Sequence, residues 1–190
     1  MKQINITRDS NGVHFDEVSI DVTETVFFTN LDSVNPHFPE ISANELGRAP
    51  SPNSSQCIVP PPPPNKFTYK CTLHPDEQGT INVFPVLAAG TTALANATKG
   101  QPITSQQVVK GGMSPYTISG QLFQVTDSNN AVIDSGSGIG PGLELKPQTD
   151  NTGILVAGTP TLSGTYNFTF TVDDAMGRNL QQVQYSMKVA

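Results

Sequence analysis

The amino-acid sequence predicts an all-β protein made of two β-sandwiches, and three observations predict it. The chain holds 16 Gly and 16 Pro, no Trp and only 14% charged residues; such a composition, rich also in Thr, Val and Ser, suits strands joined by turns better than long helices. No stretch repeats its apolar residues at the helical period, while several alternate them with period two. The length of 190 residues exceeds the common single-domain size and matches two small domains of about 100 residues each.

Near the N-terminus, His14 in "GVHFDE" reads as an ordinary strand residue. In "FDEVSIDVTETVFFTNLDS" Val18, Ile20 and Val22 alternate on one face, "TET" turns the chain, and Val26 and Phe28 resume the alternation as a second strand. "VNPHFPE" presents His37 directly after a proline, which holds the residue before it extended and pushes the imidazole out at a strand end. "ISANELGRAPSPNSSQCIVPPPPPN" reads as a Pro-rich loop closing one end of the sandwich. Its run Pro60 to Pro64 favours a polyproline II path over sheet pairing. "FTYKCTLHPDEQGTINVFPV" then gives a strand, a turn carrying Cys71 and His74, and a closing strand.

The small-residue stretch "LAAGTTALANATKG" lacks periodicity and reads as a linker into an edge strand. The expected division is a first domain over 1–86, a linker over 87–98 and a second domain over 99–190. In the second domain Leu143, Leu145, Ile154, Val156, Tyr166, Phe168, Phe170 and Val172 alternate as the fill of a sandwich core, with Gly158 and Gly164 at turns. This half has no His and no Cys. Asp173 and Asp174, with no third acidic neighbour, fall short of the roughly six to eight oxygens that calcium takes and read as a turn.

A net charge of −6 and a pI near 4.8, with ten scattered Lys and Arg, exclude a nucleic-acid-binding stripe. The N-terminus has no apolar signal region, and nowhere is there the run of about 20 apolar residues of a membrane span. With Met1 in place, the expectation is either a removed signal upstream of the numbering or export by another route. The location expected is extracytoplasmic, secreted or surface-associated, with a virion as the alternative.

"FFTNLDSVNPH" followed by "YKCTLHPDEQGTINV" closely resembles the cupredoxins, the blue-copper β-sandwich family of plastocyanin and azurin, over nearly the whole first domain. The short loop is most similar to the amicyanin-like branch. The resemblance implies a Greek-key sandwich with His37, Cys71 and His74 as equatorial ligands of one copper ion. The chemistry supports this independently, because one thiolate and two imidazoles suit copper, tuned by a weak axial ligand. Where that branch has an axial Met, this chain has Glu77. A carboxylate there implies a preference for Cu(II) and a lower reduction potential, unless the side chain turns to solvent. Phe38 is a second departure, at a place where several relatives carry a polar residue. Cys57, 14 residues before Cys71, keeps an alternative open: a disulfide closing a loop of that size would contribute roughly 3 kcal/mol and deny Cys71 to a metal.

The second domain closely resembles the bacterial Ig-like, cadherin-like repeat family, through "PGLEL", "TGILVAGTP" and "GTYNFTFTVDD". The resemblance implies an Ig-like sandwich acting as a spacer, adhesion module or surface decoration. Two functions are expected from the pair. One is a non-enzymatic copper protein, exchanging electrons with a redox partner or holding copper, joined to a surface or larger assembly through a protein partner of its Ig-like domain. The other is a structural protein of a virion or surface appendage that uses the first sandwich only as a stable module. A multicopper enzyme is not expected from a chain with three His.

Overall fold

The computed structural model describes residues 2–37, 39–40, 55–58, 65–91, 93–148 and 152–190; at 40, 55–58 and 65 only the backbone is described. Every regular element among the described residues is a strand, and the chain divides into two compact units, Met1–Pro85 and Val86–Ala190. No helix is long and apolar enough to cross a membrane among the described residues.

The first unit contains β1 (Lys2–Asp9), β2 (Gly12–Phe15), β3 (Val18–Asp21), β4 (Val26–Asn30), β5 (Pro39–Glu40), β6 (Ser55–Ile58), β7 (Asn65–Cys71) and β8 (Gln78–Phe84). They form two sheets, in the orders β2-β1-β4-β6 and β3-β8-β7-β5. Ile4, Ile6, Val26 and Phe28 of one sheet meet Ile20, Tyr69, Ile81 and Val83 of the other in a single core. Period-two alternation sends these side chains to the inner faces, so the unit is a β-sandwich. Ile20, Val26 and Phe28 are fully buried, and Val18 and Val22 pack at the rim. His14 is exposed on β2 and lies 2.9 Å from Asp9.

The sequence reading placed no strand over residues 2–9, yet β1 is an inner strand, parallel to β4 with Ile4 opposite Phe28 and Ile6 opposite Asn30. Two buried isoleucines among polar residues are too short a pattern to read as alternation. The Pro-rich stretch also carries more structure than a loop: β6 pairs antiparallel with β4, Cys57 opposite Phe27. Phe38, the prolines Pro60 to Pro64 and the Cys57 side chain lie outside the described residues.

The second unit contains β9 (Ala88–Ala89), β10 (Gln106–Lys110), β11 (Thr117–Thr126), β12 (Val132–Ser137), β13 (Leu143–Pro147), β14 (Gly153–Gly158), β15 (Gly164–Asp173) and β16 (Asn179–Val189). Its sheets run β13-β14-β10-β9 and β12-β11-β15-β16. Val108, Val109, Ile154 and Val156 face Val125, Tyr166, Phe168, Phe170, Val172, Tyr185 and Met187 across the core, with Leu143 and Leu145 packed at its margin. This too is a β-sandwich. Within the stretch expected as a linker, 87–98, the described residues carry β9, bury Leu87 and Leu94 in this core and bridge Ala97 to Val189. Small residues between two anchoring leucines conceal the burial from a periodicity reading.

Asp174 is buried at the β15–β16 turn. Its carboxylate accepts from the N–H groups of Met113, Met176 and Arg178 and from the Arg178 guanidinium at 2.6 and 2.9 Å. Burial pushes this carboxyl up, but the hydrogen bonds from Arg178 and Met113 outweigh it and hold it below the ordinary carboxylate range. Those oxygens are committed to the turn, in line with the sequence reading.

Candidate metal centre

Cys71 ends β7, where alternation turns Tyr69 and Cys71 inward and their neighbours outward. Tyr69 anchors this end of the strand: its ring meets Phe28 at 4.9 Å and Phe15 at 5.6 Å, and its hydroxyl donates to the Asp16 carbonyl at 2.9 Å. Gly79 on β8 makes room for it, since a Cβ there would overlap the Tyr69 hydroxyl and ring. Beyond Cys71 the chain folds back at once. Glu77 N–H donates to the His74 carbonyl at 2.9 Å, and Cys71 N–H donates to the Glu77 carbonyl at 2.8 Å. His74, Pro75, Asp76 and Glu77 thus form a hydrogen-bonded β-turn with Pro at its second position, where its fixed φ is favoured. This tight turn brings Cys71, His74 and Glu77 together.

His37 arrives from the far end of β4. The Asn30 side chain accepts from Asp32 N–H at 2.9 Å and donates to the Asn35 carbonyl at 2.9 Å, so it shapes the whole connection. Pro36 keeps the entry extended, and Pro39, two residues past His37, pairs with Cys71 across β5 and β7. That register sets the imidazole beside the thiol.

One ligand atom from each of His37, Cys71, His74 and Glu77 lies within 4.8 Å of all the others. The thiol sulfur is 3.5 Å from His74 Nδ1 and 3.9 Å from His37 Nδ1. Glu77 Oε2 is 3.3 Å from His74 Nδ1 and 2.9 Å from His37 Nδ1. Bonds of about 2.0–2.3 Å to a central ion leave neighbouring ligand atoms roughly 3–4 Å apart. Three of the four separations fall in that span; the His37–Glu77 hydrogen bond would open by roughly 0.5 Å for both to ligate. The donor set therefore fits a metal ion. Cys71 is a buried thiol, His37 is fully buried, Glu77 is 17% exposed and His74, at 38%, faces solvent.

Behind this cluster stands a part that the sequence reading missed. His37 Nε2 lies 2.9 Å from Asp32 Oδ2, and the Arg8 Nε–H donates to the same oxygen at 2.8 Å. Val34 N–H donates to Asp32 Oδ1 at 2.8 Å. Burial pushes the Asp32 carboxyl up, but hydrogen bonds from His37, Val34 and Arg8 more than reverse this and hold it far below the ordinary carboxylate range. No local motif announces the partnership: Ile6 pairs with Asn30 in the parallel β1–β4 register, and continuing two residues along each strand brings Arg8 level with Asp32.

No family model and no curated protein sequence matches this chain. Among solved structures, a reduced amicyanin mutant is similar at 22% identity and TM-score 0.33, over 43% of this chain and 79% of that one. CopC from Methylosinus trichosporium OB3b is similar at 18% identity and TM-score 0.30, over 54% and 90%. The N-terminal eight Ig domains of Down syndrome cell adhesion molecule are similar at 15% identity and TM-score 0.34, over 98% of this chain and 27% of that one. At TM-scores this low the likenesses carry no argument about family or chemistry, and the case for a function rests on the site.

Proposed function

We propose that this protein is a non-enzymatic copper-binding protein with a type-1-like centre held by His37, Cys71 and His74, with Glu77 as the fourth ligand. The observation that carries the proposal is the convergence within 4.8 Å of these four donors from the end of β7, the turn after it and the loop after β4. One thiolate with two imidazoles is the donor set that suits copper, and a carboxylate in the weak fourth position favours the oxidised ion. Bound copper would supply a one-electron Cu(II)/Cu(I) couple.

The chain's own residues divide the remaining work. Cys71 and His37 are buried, so the sandwich holds them before any ion arrives. His74, half exposed, is the ligand through which a redox partner would approach. Glu77 Oε2 lies 2.9 Å from His37 Nδ1 and 3.3 Å from His74 Nδ1 and closes the side of the cluster nearest its own turn. The second unit has neither His nor Cys; its role in this reading is to attach the protein, outside the cytoplasm, to a surface or assembly.

The test is a titration of the fully reduced protein with Cu(I), followed by oxidation. The expected result is uptake of a single ion and a visible thiolate-to-copper absorption that Cys71→Ser removes. Zinc uses the same donor types in tetrahedral sites, so the titration is repeated with zinc in competition. Copper uptake without the absorption, or preferential retention of zinc, overturns the proposal. Failure to take up either ion leaves the alternative, a structural subunit of a virion or surface appendage.

A further inference from the structure

We propose that Asp32, held in place by Arg8, is the positioning residue that aims His37 Nδ1 at the metal and biases the centre toward the oxidised ion; this inference rests on the copper reading above. A buried imidazole can turn only one nitrogen to a metal, and the other must find an acceptor. The His37 ring is fully enclosed, met edge-on by Phe15 at 5.9 Å and 87°. Its Nε2 finds the Asp32 carboxylate at 2.9 Å, which leaves Nδ1 on the side of the Cys71 sulfur and the Glu77 carboxylate.

A carboxylate at 1% exposure is costly to bury unless fully bonded. Asp32 is fully bonded: Val34 N–H takes one oxygen, and Arg8 and His37 share the other. Asp32 and Arg8 are 24 residues apart in sequence, so the pair forms only when the sandwich does. A carboxylate accepting from a ligand imidazole fixes its tautomer and raises its basicity. Added negative charge behind the ligand also stabilises Cu(II) more than Cu(I). Arg8 acts in the opposite sense, because its positive charge cancels part of that field.

Opposed signs give the test its discrimination. Asp32→Asn keeps the shape and an acceptor but loses the charge. The ratio of Cu(II) to Cu(I) affinity is expected to fall about tenfold, a rise in potential of about 59 mV. Arg8→Gln is expected to move the potential down, by less, because Arg8 is partly exposed and screened by solvent. A loosened fold would move both variants the same way, and that result overturns the proposal, as does an unchanged potential in Asp32→Asn. Should Asp32→Asn not fold, nitrogen-15 spectra of the cuprous wild-type protein decide. The proposal requires the His37 proton on Nε2 and slow exchange of it; a proton on Nδ1, or free exchange at Nε2, overturns it. A wild-type protein that takes up no copper sinks the function and this inference together, whereas normal copper binding with an indifferent Asp32 sinks only this one.

Discussion

In the second unit Asp174 and Arg178 lie four residues apart, and the carboxylate takes its remaining bonds from the Met176 and Arg178 N–H groups of the same turn and from Met113 N–H in the β10–β11 connection. In the first unit Asp32, in the loop after β4, and Arg8, on β1, are 24 residues apart, and the carboxylate reaches past its own loop to a buried imidazole. Both carboxyls are pushed up by burial and pulled below the ordinary range by their donors. The same chemical pair thus does two kinds of work. When the acceptor positions are filled by an arginine of the same turn and by backbone N–H groups, the pair is a turn clamp. When one oxygen is aimed at a side chain that itself faces a ligand cluster, the pair becomes part of a site.

The largest expected effect on stability tests the clamp. Asp174→Ala removes the turn's buried side-chain acceptor and leaves Arg178 without its carboxylate, so unfolding of the second unit should become easier by about 2–4 kcal/mol. Copper uptake should stay as in the wild type. Chemical denaturation followed by the near-ultraviolet signal of Tyr166 and Tyr185 measures the first, and metal titration the second. A loss of copper binding in this variant would erase the contrast between the two regions.

Acid sharpens the same contrast. Because the Asp174 carboxyl is depressed in the folded state, its contribution is fully present above the unfolded carboxylate value, about 3.9, and is lost as pH falls through the lower folded value. The second unit should therefore weaken below about pH 4, and Asp174→Asn should flatten that part of the profile. A profile of unchanged slope in the variant would show that other carboxylates carry the acid sensitivity.

A smaller effect is expected from Gly79→Ala, because the new methyl must displace the Tyr69 ring. Overpacking of this kind costs about 1–3 kcal/mol. Since Tyr69 anchors the strand that ends in Cys71, copper affinity should fall with stability, the reverse of Asp174→Ala. Retained affinity at reduced stability would mean that the β7–β8 turn holds the ligands without help from the core.

Glu77→Met should change stability least, by under about 1 kcal/mol for a partly exposed turn residue, yet alter the spectrum most. A thioether in place of a carboxylate should raise the potential and deepen the blue absorption. An unchanged spectrum would remove Glu77 from the ligand set and reduce its role to its hydrogen bond with His37 and its proximity to His74.

Much of this protein was legible without coordinates. The all-β class follows from composition and from period-two runs such as Tyr166, Phe168, Phe170 and Val172, because strand alternation is a local property. Cys71, His74 and Glu77 were legible as neighbours, since they share one Pro-containing stretch of seven residues that keeps them within reach whatever the rest of the chain does. His37 was marked by its proline and by the strand before it.

Tertiary structure alone decided the rest. Whether His37 meets the turn depends on the Pro39–Cys71 register. Whether Arg8 meets Asp32 depends on a parallel pairing of β1 with β4, and parallel partners leave no trace in the spacing of either strand. The burial of Leu87 and Leu94 likewise depends on a core that residues 87–98 do not themselves encode. Periodicity and turn chemistry act over a few residues and can be read one segment at a time. Register between distant strands is settled by which apolar faces bury one another, and that is a property of the whole sandwich.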